Sequence, residues 1–273
     1  MSEPRSATDF EDRFSLAPGR GPLLISVPHA GTFVPEGMRS RMTETARRLP
    51  DTDWWVDTLY RPLCDTGMGL LVAHDSRFII DLNRPPDDRP LYPGGGSGLV
   101  PLRTFAGEPI YAPGREPDAG EVRQRVAEYW HPYHAALAAE LARVRDLHGH
   151  AVLLDAHSIA SEVPALFAGR LPALNLGTHQ GASAAGELIA AAMGALRAAR
   201  KYSSVRDGRF KGGFITRHYG RPAHGIHALQ LELAQRTYMD EPGQRFDEDA
   251  AEALREVLRR LLAALLSWVP GHD

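Results

Sequence analysis

The sequence predicts an α/β fold: a single domain over residues 21–273, with a mostly parallel, mixed sheet flanked by helices. Three observations predict it. Short apolar runs rich in β-favouring residues, Leu23 to Val27 and Ala151 to Leu154, are too brief for helices and read as strands buried on both faces. Between and after them lie long stretches of helical periodicity, above all residues 118–148 and 247–265. The two kinds of segment alternate without any internal repeat, which is the pattern of a parallel sheet covered on both sides, and 273 residues suffice to bury its core.

Residues 1–20 read as a flexible polar tail that ends in the turn signal Pro18-Gly19-Arg20-Gly21-Pro22. The first strand follows at 23–27, then a short helix over 36–49. Asp51, Thr52 and Asp53 offer N-cap oxygens to a second helix, whose Trp54, Val56, Leu59, Tyr60 and Leu63 share one face. Residues 69–73 and 78–82 read as two neighbouring strands. From 83 to 117 periodicity gives way to Pro and Gly, the mark of a functional loop or lid. Asp118 and Glu121 have the spacing of a capping box for a helix running to His148, divided at Pro132 and stopped by Gly149. Further strands are expected at 172–176, 202–205, 213–218 and 226–233, with a helix over 183–200. Asp247 caps the last helix, in which Ala250, Leu254, Val257, Leu258, Leu261, Leu262 and Leu265 form an apolar stripe.

A net charge of −3 gives no broad basic field for nucleic acid or an anionic membrane surface, and charged residues or Gly break every apolar stretch short of a membrane span. The N-terminus lacks the charged-then-apolar layout of a secretory signal, and Cys64 is the one cysteine, so a reducing, cytoplasmic setting is expected. The expected partner is a small molecule. Nothing in the sequence sets the oligomeric state.

Two strand-like runs each end in a histidine followed by a small residue: Pro28-His29-Ala30-Gly31 after the first, and Asp155-Ala156-His157-Ser158 at the central one. In open α/β sheets ligands bind beyond the carboxyl ends of strands, so His29 and His157 are expected to converge on one metal ion. A catalytic Zn2+ takes about three protein ligands and keeps an open position. Asp53 is the candidate third ligand, and Asp155 is its competitor or else an outer partner that sets a histidine tautomer. His131, His134, His148 and His150 read as surface or satisfied core residues. Glu232 lies in a strand too apolar to hold a carboxylate without a purpose, which makes it a candidate general base. A buried ion pair with an arginine is the alternative. Asn83 and Arg84, just past another apolar run, suit the grip of an acidic substrate, because Arg binds carboxylates bidentately. Arg217, with Arg103 as a weaker candidate, offers a second cation. The Gly94-Gly95-Gly96 run lacks the context of a phosphate loop.

Nine short motifs occur in order: SVPHAG at 26–31, DTDW at 51–54, DLNRP at 81–85, LYPG at 91–94, GLVP at 98–101, LDAHS at 154–158, NLGT at 175–178, GRFKGG at 208–213 and HALQLELAQRTYM at 227–239. Together they resemble the N-formylglutamate amidohydrolase family over nearly the whole chain. The resemblance implies a fold similar to the zinc carboxypeptidases and hydrolysis of N-formyl-L-glutamate to formate and glutamate, the last step of one histidine-degradation route. It also implies that His29 and His157 are metal ligands for Zn2+ or another divalent metal, Glu232 the catalytic glutamate, and Asn83 with Arg84 the carboxylate grip. The wider superfamily carries Glu three residues after its first histidine. Thr32 stands there in this chain, and Asp53 is the expected replacement. Arg103, where small hydroxyl residues are usual, and Ala184, where Cys is common, bear on which acidic acyl-amino acid is accepted. Related readings are a hydrolase of another N-acyl acidic amino acid or small peptide, and a non-catalytic binding protein on the same scaffold.

Overall fold

Alternate side chains of a strand face opposite sides of its sheet, and the apolar runs of this chain fill both sides. The computed structural model describes residues 13–64, 67–91 and 97–271. Within them one sheet of seven strands is formed by β1 (Phe14–Ala17), β2 (Leu23–Val27), β3 (Met68–Ala73), β4 (Ala151–Ile159), β5 (Leu174–Gly177), β6 (Ser204–Arg206) and β7 (Ile226–Ala234). The order across the sheet is β1-β3-β2-β4-β7-β5-β6. β1 runs antiparallel to β3 and β5 antiparallel to β7, while the remaining neighbours are parallel. β8 (Met239–Asp240) and β9 (Arg245–Phe246) pair as a separate ribbon. The helices are α1 (Glu36–Arg39), α2 (Glu44–Arg47), α3 (Val56–Tyr60), α4 (Ala119–Arg125), α5 (His131–His148), α6 (Gly186–Ala198), α7 (Phe214–Tyr219) and α8 (Glu248–Ser267).

Leu23, Ile25 and Val27 of β2 and Val152, Leu154 and Ala156 of β4 face α3, α6 and α8 in the larger core. Leu24, Ala151, Leu153 and Ala228 face α5 and α7 in the second. Period-two alternation then puts Asp155, His157, Gln230 and Glu232 on the α5 side. The β4–β7 register aligns Asp155 with Gln230 and His157 with Glu232. From β2 the chain goes out to β3 on one side and later returns to β4 on the other. The crevice past the tips of β2 and β4 is therefore the switch point of the sheet, where ligands bind in such folds. Among the described residues no helix is long and apolar enough to cross a membrane.

Several expectations are corrected. Residues 14–17 are no tail: they form β1, paired along β3, while residues 1–12 lie outside the described part, as do the glycines at 94–96. The helix expected over 36–49 is two short pieces, because Met42 bridges to Tyr111 between them. Residues 78–82 make turns rather than a strand; Phe78, Ile79 and Ile80 are apolar because they sink into the second core from a loop. Residues 214–219 are helical: the Asn83 side-chain oxygen accepts the Ile215 N–H at 2.7 Å and caps the first turn. At Pro132 the long helix passes through a π-turn, Val126–Trp130. The Glu128 carbonyl, which Pro132 cannot serve, accepts from the Arg13 guanidinium at 2.9 Å.

Arg125, 1 % exposed, fastens the 76–84 loop to α4. Its Nη1 donates to the Ile79 carbonyl and the Tyr111 hydroxyl, each at 2.8 Å, while Glu121 neutralises the charge. Arg125→Met strips these acceptors of their donor and leaves Glu121 unpaired by α4. The expected loss is about 3 kcal/mol, or a Tm drop of roughly 6–12 °C. Calorimetry showing less than about a 2 °C change would mean that the loop is held by other contacts.

Candidate metal centre

His29 follows β2 by two residues, and Gly31 lets the chain turn flat against the end of β3: a Cβ there would meet the Asp75 carbonyl oxygen at 2.3 Å. The carbonyl of His29 accepts the Asp53 N–H at 3.1 Å, so the 51–54 loop hooks directly onto the histidine turn. Asp53 does not cap α3 as expected. Trp55 occupies the cap position in the left-handed conformation, φ 55°, with no side-chain cap, and this turn aims Asp53 inward. Asp81 and Asn83 come from the turn after β3, with the Asn83 N–H donating to Asp81 Oδ1 at 2.9 Å. Gly213 packs flat on the Asn83 amide, where a Cβ would approach Nδ2 to 2.4 Å.

The two histidines, 128 positions apart in sequence, stand with ring centroids 4.9 Å apart and tilted at 56°. One ring atom or carboxylate oxygen from each of His29, Asp53 and His157 lies within 4.8 Å of the others, and all three residues are buried. His29 Nε2 meets Asp81 Oδ1 at 2.9 Å, while its Nδ1 lies 3.9 Å from Asp53 Oδ2. His157 Nδ1 meets Asp53 Oδ2 at 2.9 Å, and its Nε2 lies 3.1 Å from Asp155 Oδ2 and 2.9 Å from Asn83 Nδ2. Each ring thus turns Nδ1 towards Asp53 and Nε2 towards a further carboxylate. Arg77 closes the group, with Nη2 on Asp81 at 2.7 Å and Nη1 near Asp53 at 3.4 Å.

The charges ask for a cation. Asp53, Asp81 and Asp155 are buried together against one guanidinium. Burial opposes ionisation of Asp81, yet His29 and Arg77 hold its pKa well below the usual carboxylate range; Asp53 is likewise lowered, chiefly by its bond to His157. Burial and then Arg77 keep His29 neutral. Burial also works against charge on His157, but Asp155 and Asp53 outweigh it and raise its pKa well above the ordinary value. An imidazolium there supplies the positive charge that the carboxylates lack. The fit to a metal rests on one atom: His29 Nδ1 is buried with no hydrogen-bond partner, its Nε2–H committed to Asp81, and its lone pair faces the position shared by Asp53 and His157. A borderline-soft divalent ion such as Zn2+ takes this donor set of two imidazoles and a carboxylate, with histidines backed by carboxylates in the usual manner.

A cavity of about 380 Å³ opens on this group, lined also by Arg77, Asn83, Arg84 and Glu232. Glu232 is 6 % exposed and next to His157 across the sheet; Gln230 Nε2 donates to its Oε2 at 3.2 Å. No arginine ion pair holds it among the described residues, and burial lifts its pKa to about 8. Arg84 is fixed by its own Nε, Nη1 and Nη2 donating to the Ser97 carbonyl, the Asn83 carbonyl and Ser97 Oγ. Three of the five N–H groups of the guanidinium serve these bonds, which leaves one on each Nη for a ligand.

The model of the N-formylglutamate amidohydrolase family matches residues 21–239. The chain belongs to the N-formylglutamate amidohydrolase family. It is 50% identical over 255 residues to an N-formylglutamate deformylase of Pseudomonas putida, covering 93% of this chain and 96% of that protein. A deformylase of the same name from Pseudomonas aeruginosa is also 50% identical, covering 95% and 98% of the two chains. The crystal structure of N-formylglutamate amidohydrolase from Ralstonia eutropha JMP134 superposes with a TM-score of 0.80 at 28% identity, over 93% of this chain and 97% of that one.

In this family member His29, His157, Glu232, Asn83 and Arg84 line one cavity, and Asp53 lies buried beside the two histidines. The structure does not bring Arg103 or Arg217 there. Arg103 is exposed in the tight turn around Gly107, whose carbonyl it binds at 2.8 Å. Arg217 lies along α7 and donates to the carbonyls of Gly212 and Leu91, where it ties the 83–117 loop to the glycine-rich segment. Asp81 lies inside the run 78–82 that reads as a strand, and Arg77 just before it; the sequence reading assigned neither a role in the site. The signal was there in Asp81 itself, a charge closing an apolar run and in need of a partner.

Proposed function

We propose that the chain hydrolyses N-formyl-L-glutamate to formate and L-glutamate, using Zn2+ or another divalent cation held by His29 Nδ1, His157 Nδ1 and an Asp53 oxygen. The observation that carries the metal is the orphaned Nδ1 of His29 beside two further donors. The substrate reading rests on the relatives, which carry the name deformylase at half identity over almost their full length. The proposed setting is the cytoplasm and the breakdown of histidine.

A divalent cation held by His29, His157 and Asp53 would supply Lewis acidity towards the formyl carbonyl and towards water. The remaining work falls to side chains. Glu232 takes a proton from the water that attacks the formyl carbon, then delivers it to the amine nitrogen as the C–N bond breaks. Asn83 and Arg84 hold a carboxylate of the substrate and set the amide over Glu232. Asp81 and Asp155 keep the two imidazoles turned so that each presents Nδ1 inward. Arg77 keeps Asp53 and Asp81 ionised in a buried site.

Formate release from N-formyl-L-glutamate, measured beside N-acetyl-L-glutamate, N-formyl-L-aspartate and a dipeptide, tests the substrate; a larger kcat/KM on any of the others would displace it. Exhaustive chelation should remove activity, and Zn2+ or another divalent metal should restore it. Full turnover by protein proven metal-free would end the metal reading.

A further inference from the structure

Asn83 and Arg84 sit on a turn, and a turn holds its side chains in place only if its own backbone is held. The Arg84 N–H closes the turn on the Asp81 carbonyl at 3.1 Å, and the carbonyls of Leu82, Asn83 and Arg84 are left to find donors elsewhere. All three have one. The Asn83 carbonyl accepts from Arg84 Nη1 at 3.0 Å and from the Phe214 N–H at 3.3 Å. The carbonyls on either side of it are both taken by the helix that begins at the π-turn: His134 Nε2 meets the Leu82 carbonyl at 2.9 Å, and Trp130 Nε1 donates to the Arg84 carbonyl at 2.9 Å.

Residues four apart lie on one face of a helix. Here the indole of Trp130 and the imidazole of His134 stack with centroids 3.7 Å apart at 21°, and Phe214 packs against both, at 5.7 and 5.5 Å. Both residues are buried. A carbonyl only accepts, so the His134 proton lies on Nε2, and Nδ1 takes the Tyr219 hydroxyl at 2.9 Å. Burial keeps the ring neutral, with its pKa pulled down to about 3. Trp130 is also the last residue of the π-turn, whose extra residue resets which side chains share that face; such turns recur at functional sites. Apolar rings would fill this space equally well, and what the turn uses is the two N–H groups. We propose that Trp130 and His134 are positioning residues that clamp the 82–84 turn from both ends, so that Arg84 presents its remaining N–H pair to the substrate carboxylate at a fixed angle. This inference rests on the hydrolase reading above, with Arg84 as its carboxylate grip, and a two-pronged bond to a carboxylate depends on such orientation.

Trp130→Phe and His134→Leu keep most of the packing and remove one N–H each, while His134→Gln restores an amide N–H near the place of Nε2. In metal-loaded protein, each of the first two should raise KM for N-formyl-L-glutamate, and Kd for the product L-glutamate by calorimetry, about 10-fold, with kcat changed by less than about threefold. His134→Gln should bring both constants back to within about threefold of wild type. Arg84→Ala, which removes the grip itself, should raise KM by about 10²-fold. A merely structural role would lower Tm and the fraction of active protein and leave KM unmoved. KM unchanged in Trp130→Phe and His134→Leu while Arg84→Ala raises it would overturn the clamp alone. An unchanged KM in Arg84→Ala would instead overturn the grip, and wild-type protein inactive on N-formyl-L-glutamate the hydrolase reading; the clamp falls with either.

Discussion

Glu232→Gln is expected to lower kcat by about 10³-fold while leaving the metal bound and the fold intact. The glutamine fills the same space and still bonds Gln230, so packing is conserved; what disappears is the group that can carry a proton from water to the leaving amine. KM should change little, since the carboxylate grip is elsewhere. Retention of more than about a tenth of wild-type kcat would remove Glu232 from the chemistry.

The same substitution has a second, independent readout in metal-free protein. Burial lifts Glu232 to about 8 from an ordinary 4.5, so between those values the folded state holds a proton that the unfolded chain has released. Stability therefore falls as pH rises through this window and levels off above it, by an amount on the order of a few kcal/mol. Glu232→Gln removes this slope. Urea midpoints at pH 5 and 8 in excess chelator should diverge between wild type and variant, with the variant the more stable at pH 8. A cation nearby favours the ionised carboxylate, so metal binding expels protons and tightens with pH over the same range.

Much of the site is legible in the sequence because strand ends are legible. An apolar run that stops at His29, and another that ends in Asp155 and His157, have few uses in a packed sheet other than presenting those side chains at its edge. Glu232 stands out for the same reason. What the sequence hides is the pairing of residues on loops. Asp81 closes Phe78-Ile79-Ile80, which looks like a strand, and only the buried turn shows that it serves His29 across 52 positions. Gly213 to His218 looks β-like until Asn83 caps the segment as a helix. Asp53 reads equally as a helix cap, and Trp55 in a left-handed turn takes it out of that role. Arginines are the least legible, because a guanidinium reaches so far that sequence position says little about where it ends: Arg103 and Arg217 bind backbone carbonyls away from the site, whereas Arg77 lines the cavity.

Asp53→Asn and Asp155→Asn are expected to part company, and the contrast separates a ligand from the group that orients one. Both aspartates are buried, both touch His157, and both changes are isosteric. Asp53 faces the Nδ1 atoms of both histidines, so its amide removes one of three donors and the charge nearest the cation. Asp155 touches only the far nitrogen of one ring, and an asparagine oxygen there can still accept the Nε2–H. Asp155→Asn should therefore weaken Zn2+ binding by roughly 10–100-fold, the range for outer partners of a ligating histidine, and Asp53→Asn well beyond that. Activity at saturating metal should return largely in Asp155→Asn and not in Asp53→Asn. Folding should survive in both, since Arg77 keeps its 2.7 Å pair with Asp81 when Asp53 is neutral, and circular dichroism checks this. Competition titrations against a chromogenic chelator give the affinities. If Asp155→Asn proved the more damaging to metal binding, the third ligand would be Asp155, and Asp53 would be left to orient His157.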